Sequence, residues 1–246
     1  MTQKLLSFFS VVLLAIALTG CSTTSDKDPL EPMNRGIYKF NDVADKAVFK
    51  PVASGYKAIT PTPVRAGINN FFNNLSNVVT VFNQLLQFKF NKAAETTGRF
   101  VVNTTVGILG FVDVASRTGF NRYKEDFGQT LGYWGVGPGP YVMLPLLGPS
   151  NVRDTAGLIT DWFTFEPLGY VENPRSRNVL LATRFIDYRA DLLPGSDLLD
   201  EAALDPYAFM RDAYNQRRIN QISDGQITEQ IGDSFEEASE SSVDAK

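Results

Sequence analysis

The sequence contains no histidine and only one cysteine, Cys21. Histidine is the commonest general base and the commonest metal ligand, and it is the side chain that titrates near neutral pH. Its absence excludes Ser-His-Asp, Cys-His and histidine-ligated zinc chemistry. A single cysteine also allows no disulfide bond within the chain. These absences argue against the common hydrolytic enzymes.

The sequence also lacks a long apolar run at its N-terminus. Lys4 is followed by a mostly apolar stretch from Leu5 to Leu18, which is shorter than the ~20 residues of a membrane-spanning helix. A positive start, a short apolar core and small residues before Cys21 are typical of an export signal. Leu-Thr-Gly-Cys resembles the bacterial lipobox, so we expect residues 1–20 to be a lipoprotein signal peptide and Cys21 to be acylated. Ser22, where Asp would favour inner-membrane retention, points to the periplasmic side of the outer membrane.

Charge is scarce in the body of the chain and concentrated at its end. Residues 21–223 carry 21 basic and 20 acidic side chains, whereas residues 224–246 carry one lysine and seven acids. A near-neutral body argues against binding to nucleic acid, which requires a basic surface. We therefore expect a polar tether over 21–27, a single domain over 28–223, and an acidic, disordered tail over 224–246.

Apolar residues recur at helical spacing along most of the body. The spacing predicts a helix from about Met33 that ends at Pro51. Residues 60–90 begin with a proline turn and continue in helical rows, but they contain six asparagines, which are modest helix formers and could divide the segment into shorter pieces. Because "NNFFNNLSNVVTVFNQLLQF" is apolar and uncharged, the segment lies either at a bilayer interface or buried between neighbouring helices.

Further helices are expected downstream. Residues 92–110 read as a helix that runs into a glycine-marked loop, and residues 124–135 as a short helix. Ser150 is the expected N-cap of the helix that follows it, and Asp205 is the expected N-cap of a helix with Pro206 in its first turn. No stretch sustains a strand-like alternation and no internal repeat is evident. The sequence therefore predicts a mostly α fold made of many short helices.

The stretch "GVGPGPYVMLPLLGPS" at 135–150 combines glycines and prolines with an apolar centre. It lacks the full glycine pattern of a dinucleotide loop and the Gly-Lys-Ser/Thr of a Walker loop. Pro138 and Pro140 also remove amide donors that a phosphate would need. We expect an irregular apolar segment rather than a nucleotide site.

The sequence contains two pairs of neighbouring charges of the kind that catalysis can use. Glu125 and Asp126 could perform acid–base chemistry, but adjacent residues of a helix point to different sides. A solvated face or a charge at the helix N-terminus is the better interpretation. Arg153 and Asp154 are expected to form a structural ion pair.

Several long motifs together resemble the MlaA (VacJ) family of outer-membrane lipoproteins. The resemblance covers about Asp28 to Arg218, and its central run is highly specific. The matching stretches are "DPLEPMNRGIYKFN", "NNFFNNL", "GRFVVNTTVGILGFVDVA", "EDFGQTLGYWGVGPGPYVMLPLLGPSNVRD" and "DPYAFMRDAYNQRR".

This resemblance implies a helical, doughnut-shaped protein in the inner leaflet of the outer membrane. In the family, a central amphipathic channel lets misplaced outer-leaflet phospholipids pass inward, and a periplasmic carrier, MlaC, collects them for return to the inner membrane. Members sit beside trimeric porins of the OmpC/OmpF type. The resemblance implies no cofactor, no metal and no bond-breaking step.

Within this framework, Tyr141, Val142, Met143 and Leu144 are expected to face the lipid path, because irregular backbone at membrane depth is tolerated where it lines a cavity. Phe40 and Asn41 are expected near its inner opening, and Gly137 and Gly139 as positions that shape the backbone. A structural lipoprotein that scaffolds a porin complex without moving lipid is the alternative. A lipid hydrolase that uses carboxylates is disfavoured by the absence of histidine and of a free cysteine.

Overall fold

The described chain is mostly helical and contains one short β-hairpin. The structure is a computed structural model that describes residues 28–225, except for the side chains of 197–202. The predicted signal peptide, Cys21, the tether and residues 226–246 lie outside the described residues. The elements are α1 (Glu31–Ala44), a π-helix (Asp45–Phe49), α2 (Lys50–Ile59), α3 (Thr62–Leu86), α4 (Phe90–Thr105), α5 (Phe127–Tyr133), β1 (Tyr141–Leu144), β2 (Gly148–Asn151), α6 (Val152–Thr164), α7 (Pro174–Ala202) and α8 (Pro206–Ile222), with 3-10 turns at Ala115–Thr118 and Pro167–Tyr170. This confirms the predicted mostly α class.

The first helix does not end at Pro51, contrary to the prediction. It continues from α1 through the π-helix into α2. The N–H of Lys50 donates to the carbonyl of Asp45, five residues back, so the turn before the proline is wider than an α-turn. Pro51 then occupies the first turn of α2, where its missing N–H is not required.

The asparagines do not divide α3, which is continuous over 25 residues. Their side chains bond to neighbouring segments instead of interrupting the helix. The Nδ2 of Asn74 donates to Thr104 of α4 at 2.9 Å, and the Nδ2 of Asn83 donates to Asp161 of α6 at 2.9 Å. The helix packs against α4, α5 and α7, so much of it is buried between neighbours, while Phe82, Leu85 and Phe88 near its end are exposed.

The apolar half of the Gly-Pro stretch forms a β-hairpin, which the sequence reading missed. Strands β1 and β2 pair antiparallel, with Tyr141 opposite Asn151 and Leu144 opposite Gly148. Three residues connect them, and both Leu146 in the middle of the loop and Gly148 after it have a positive φ, +63° and +87°. Side-chain burial alternates along β1: Tyr141 and Met143 are buried, while Val142 and Leu144 are half-buried.

Two of the predicted caps have different outcomes. Asp205 caps α8 by accepting from the N–H of Ala208, with Pro206 in the first turn as expected. Ser150 does not cap α6, because it belongs to β2 and its hydroxyl bonds to Thr155. The cap is Asn151, whose Oδ1 accepts from the N–H of Asp154 at 2.8 Å.

An ion cluster joins α5, α6 and α8. Arg218 donates to both carboxylate oxygens of Asp126 at 2.6 and 2.8 Å and to Asp154 at 2.9 Å. Arg153 Nε lies 3.0 Å from Asp154, which confirms the predicted structural pair. Burial alone would lower the pKa of Arg218, but the two carboxylates raise it above its usual value. Asp126 also caps α5 by accepting from the N–H of Gln129, as expected for a charge at a helix N-terminus.

Glu125 is buried, so the expectation of a solvated face is wrong for this residue. Its carboxylate accepts from Gln87 at 3.1 Å and lies 3.2 Å from Lys89 Nζ. Burial raises the pKa of Glu125 in spite of this lysine. The side chain therefore interacts with Gln87 and Lys89, just after the end of α3, instead of with solvent.

The contacts between elements form a closed circuit. β1 contacts α1 and pairs with β2, and β2 contacts α6 and α8. α6 packs on α5, α5 contacts α3, α3 contacts α7, and α7 packs on α2, which the π-helix joins back to α1. The arrangement agrees with the predicted ring, and a cavity lies within it.

Candidate functional site

Elements of this circuit line an open cavity of about 720 Å³, a size that accommodates a substantial organic ligand. Its wall is contributed by α1, the π-helix, α3, the hairpin, α6, α7 and α8, so no single element forms it. The lining side chains include Tyr38, Asn41, Asp42, Asp45, Phe49, Asn69, Phe72, Asn73, Ser76, Lys124, Met143, Leu146, Leu147, Pro149, Leu158, Leu181, Arg184, Phe185, Asp187, Tyr188, Arg189, Leu192, Ser196 and Met210.

The wall is amphipathic. Phe72, Leu158, Leu181 and Phe185 give it an apolar surface suited to hydrocarbon. Amides and hydroxyls on α3 give it a polar strip, at positions 69, 73 and 76. A molecule with apolar chains and a polar head can satisfy both parts of its surface in such a space.

Most charges on the wall are paired. Arg189 donates to both oxygens of Asp45 at 2.6 and 2.7 Å, and this pair links α7 to the π-helix. The buried Asp187 accepts from the Tyr56 hydroxyl at 2.9 Å and lies near Asn69. Burial raises the pKa of Asp187. These pairs hold α7 in place against α2 and α3.

The hairpin is attached to α1 by two asparagine side chains. Asn34 donates to the carbonyl of Tyr141 at 3.0 Å and accepts from the N–H of Met143 at 2.8 Å. Asn41, two helical turns later, donates to the carbonyl of Leu144 at 2.9 Å and accepts from the N–H of Leu146 at 2.8 Å. The side chains thus replace a neighbouring strand along the free edge of β1.

The comparisons with known proteins identify the family. The family described as MlaA lipoprotein matches residues 26–221. The chain belongs to the MlaA lipoprotein family. The resemblance seen in the sequence is therefore confirmed, and this is a family of lipid-transport lipoproteins rather than a known enzyme family.

Relatives of this MlaA-family chain cover most of its length. An uncharacterized protein of Rickettsia prowazekii is 38% identical over 191 residues, which are 78% of this chain and 76% of the relative. The intermembrane phospholipid transport system lipoprotein MlaA of Haemophilus influenzae is 34% identical over 238 residues, which are 92% of this chain and 94% of the relative. A solved structure from work on the structural basis for maintenance of bacterial outer membrane lipid asymmetry is similar with a TM-score of 0.70 and 36% identity, and the match covers 80% of this chain and 99% of that chain.

The structure brings two of the six predicted lipid-path residues to the cavity of this MlaA-family protein. Asn41 and Met143 line it. Tyr141 is buried with Tyr207 beside α8, in a cluster that Met143 shares. The remaining three, Phe40, Val142 and Leu144, are not among the lining side chains, and Phe40 is exposed on α1. Alternation along β1 puts Val142 and Leu144 on the face opposite Met143, because successive side chains of a strand point to opposite faces.

The two predicted backbone-shaping glycines differ from one another. Gly139 has a φ of +66°, which favours glycine, and a Cβ there would lie 3.2 Å from that of Val152. Gly137 has no neighbour within 4 Å of a built Cβ, and its φ is not positive. The structure therefore gives a reason for glycine at 139 and none at 137.

Sequence reasoning missed most of the wall. The lining residues of α3 lie on a helix whose apolar rows the sequence shows, but the sequence does not say which neighbouring helix each row contacts. One feature of the sequence does indicate the hairpin contact. Asn34 and Asn41 are seven residues apart, which places both on one face of α1. Two amides on one helical face, repeated at the spacing of two turns, indicate a polar partner along the helix.

We expect replacement of Asn41 by alanine in this MlaA-family protein to loosen the hairpin tip without unfolding the chain. The change removes two hydrogen bonds, each worth about 1 kcal/mol. Amide hydrogen exchange of Leu146 should accelerate by about tenfold, since its N–H loses its acceptor. Exchange in α4 should be unchanged, and equal protection of Leu146 in both proteins would contradict the prediction.

Proposed function

We propose that this protein takes misplaced phospholipids from the outer leaflet of the outer membrane and passes them through its cavity to a periplasmic carrier, which returns them to the inner membrane. The amphipathic cavity within the closed ring carries the proposal. Its apolar side chains suit acyl chains, and its amides and hydroxyls suit a headgroup. No bond is broken in this process, so the activity is transport, and its result is an asymmetric outer membrane.

The relatives support this proposal. The Haemophilus influenzae protein is named as a lipoprotein of an intermembrane phospholipid transport system, and the similar solved structure belongs to work on outer-membrane lipid asymmetry. The two matches cover 92% and 80% of this chain. The carboxylates that could serve a hydrolase, Glu125 and Asp126, do not line the cavity.

We place the protein at the periplasmic leaflet of the outer membrane, anchored through acylated Cys21. Within residues 28–225, no helix is both long and apolar enough to cross a bilayer. The end of α4 and the loop after it instead expose Val106, Ile108, Leu109 and Phe111. Clustered exposed apolar side chains indicate contact with an apolar partner, and here the acyl chains of one leaflet suit them.

Two protein partners belong to the proposal. A trimeric porin of the OmpC/OmpF type would sit beside the ring in the membrane, and a soluble MlaC-like carrier would accept lipid on the periplasmic side. Membership of the MlaA lipoprotein family supports both partners. If this protein bound the porin but bound no phospholipid, it would be a scaffold, and the transport function would be contradicted.

The cavity wall can be tested with a matched pair of substitutions on α6. Leu158 and Ile159 are adjacent and both about half exposed, but only Leu158 lines the cavity. We expect Leu158→Asp to reduce binding of fluorescent phosphatidylethanolamine by purified full-length protein about tenfold or more, because a carboxylate repels acyl chains from the wall. Transfer of the probe to a soluble carrier should fall in parallel.

Ile159→Asp is the control for this experiment. It introduces the same charge on the same helix outside the cavity, and binding should stay close to that of the unmodified protein. Equal binding by the Leu158→Asp variant would remove the cavity from the transport path. Absence of phospholipid binding by the unmodified protein would overturn the proposed function and favour the scaffold.

A further inference from the structure

One lysine on the cavity wall differs from the other charges there. Lys124 lies in the segment before α5, and the chain around it is fixed: its carbonyl accepts from Gln129 Nε2 at 3.2 Å, and the next N–H, of Glu125, bonds to Thr80 of α3. The position of the side chain at the wall is therefore determined by two helices. Lys124 is an exposed residue, and it lines the cavity.

Within residues 28–225, the ammonium of Lys124 has no hydrogen-bond or ion-pair partner. The carboxylates that follow it in sequence are already engaged, since Glu125 pairs with Lys89 and Asp126 with Arg218. The surrounding protein partly desolvates this side chain and lowers the pKa of Lys124, and the positive charges of Arg217 and Arg184 lower it further, while Asp126 raises it. A positive charge in these surroundings is stabilised by an incoming anion.

Arg184 of α7 faces the same part of the wall. Its guanidinium donates to Glu166 at 3.0 Å and to the hydroxyl of Ser76 at 3.0 Å, which fixes its orientation. Arg184, Ser76, Asn73 and Lys124 all line the cavity. We call these four residues the cationic corner.

The cationic corner opens onto a second, smaller recess. Lys124, Ser76 and Asn73 line both spaces. The recess has a volume of about 40 Å³, and its other lining residues are polar or charged, among them the buried Arg99. Its volume admits water and not a hydrocarbon chain.

We infer that the cationic corner binds the phosphate group of the lipid in transit, while the acyl chains lie along Phe72, Leu158 and Phe185. This inference rests on the proposed function and names the chemistry that the cavity recognises. A phosphodiester carries one negative charge and accepts several hydrogen bonds. Lysine supplies a mobile charge and arginine an oriented one. The polar recess beside the corner has room for water around the headgroup.

The corner predicts selectivity for lipids that carry phosphate. In purified full-length protein, Lys124→Gln should weaken binding of fluorescent phosphatidylglycerol by about tenfold or more, as expected for loss of a charged hydrogen bond. Binding of a diacylglycerol probe, which has the same acyl chains and no phosphate, should change little. Lys124→Arg should retain phosphatidylglycerol binding, and Lys57→Gln, an exposed lysine of α2 outside the cavity, is the matched control.

Three results would overturn the inference. Lys124→Gln could bind phosphatidylglycerol as well as the unmodified protein does, or it could lose both probes equally, which would indicate a general change in the cavity. Displacement of the probe by millimolar inorganic phosphate would assign the corner to the free anion. If the unmodified protein bound neither probe, the proposed function would fail first, so the two failures are distinguishable.

Discussion

Replacing Arg218 by methionine is expected to destabilise the folded protein by about 3 kcal/mol or more, the cost of removing one partner from a buried ion pair. The arginine is buried and serves two carboxylates, Asp126 and Asp154. The side chain of Asp154 is 6% exposed and that of Asp126 is 40% exposed, so most of the loss comes from Asp154. Water can solvate Asp126 once Arg218 is gone. Asp154 would keep its hydrogen bonds and Arg153, but Arg153 also donates to the carbonyl of Val136.

Equilibrium urea unfolding of the full-length protein measures this effect. Arg217→Met, at the preceding and exposed position of α8, controls for the loss of one arginine and should change the free energy of unfolding by no more than about 0.5 kcal/mol. Arg218→Lys should be intermediate, because it keeps the charge and loses the two-pronged geometry. A stable Arg218→Met variant would show that the cluster contributes little to the attachment of α8.

The second large effect is expected at the crossing of α5 and α6. A Cβ at Gly157 would lie 2.3 Å from the amide nitrogen of Gly128 and 2.7 Å from its Cα. These are backbone atoms, so the clash cannot be relieved by rotating a side chain. We expect Gly157→Ala to destabilise the protein by about 2–3 kcal/mol, even though alanine is the better helix former.

Gly36→Ala is the matched control for this prediction. Gly36 lies within α1 and has open space around a built Cβ. The substitution should stabilise the protein by about 0.5–1 kcal/mol, since only the helix propensity changes. Urea unfolding of both variants therefore gives opposite signs, and a neutral Gly157→Ala would mean that the two helices can separate at little cost.

Arg218→Met and Gly157→Ala affect helices that hold the cavity wall in place, and neither residue lines the cavity. α6 follows β2 directly and provides Leu158, and both α6 and α8 contact β2. The variants should therefore lose phospholipid binding together with their folded structure. Leu158→Asp and Lys124→Gln should lose binding while they remain folded, which separates structural from binding effects.

The sequence by itself determined the features that depend on neighbouring residues. Asp205 and Pro206 begin α8 as predicted, because a cap and the first turn it supports are only a few residues apart. The absence of histidine limits the available chemistry whatever the fold. The long motif from Glu125 to Asp154 indicated the family, since so specific a run of residues needs no three-dimensional information to be matched.

Only the tertiary structure decided the features that depend on distant residues. The asparagines of α3 are compatible with a long helix because α4 and α6 supply their partners. β1 is stable as an edge strand because Asn34 and Asn41, about a hundred residues earlier, satisfy its backbone. The cavity itself is assembled from residues between Tyr38 and Met210, and their order in the chain does not say which faces meet. Hydrophobic burial is non-directional. Helical periodicity therefore identified the faces that must be buried, whereas the tertiary contacts decided which helices bury them.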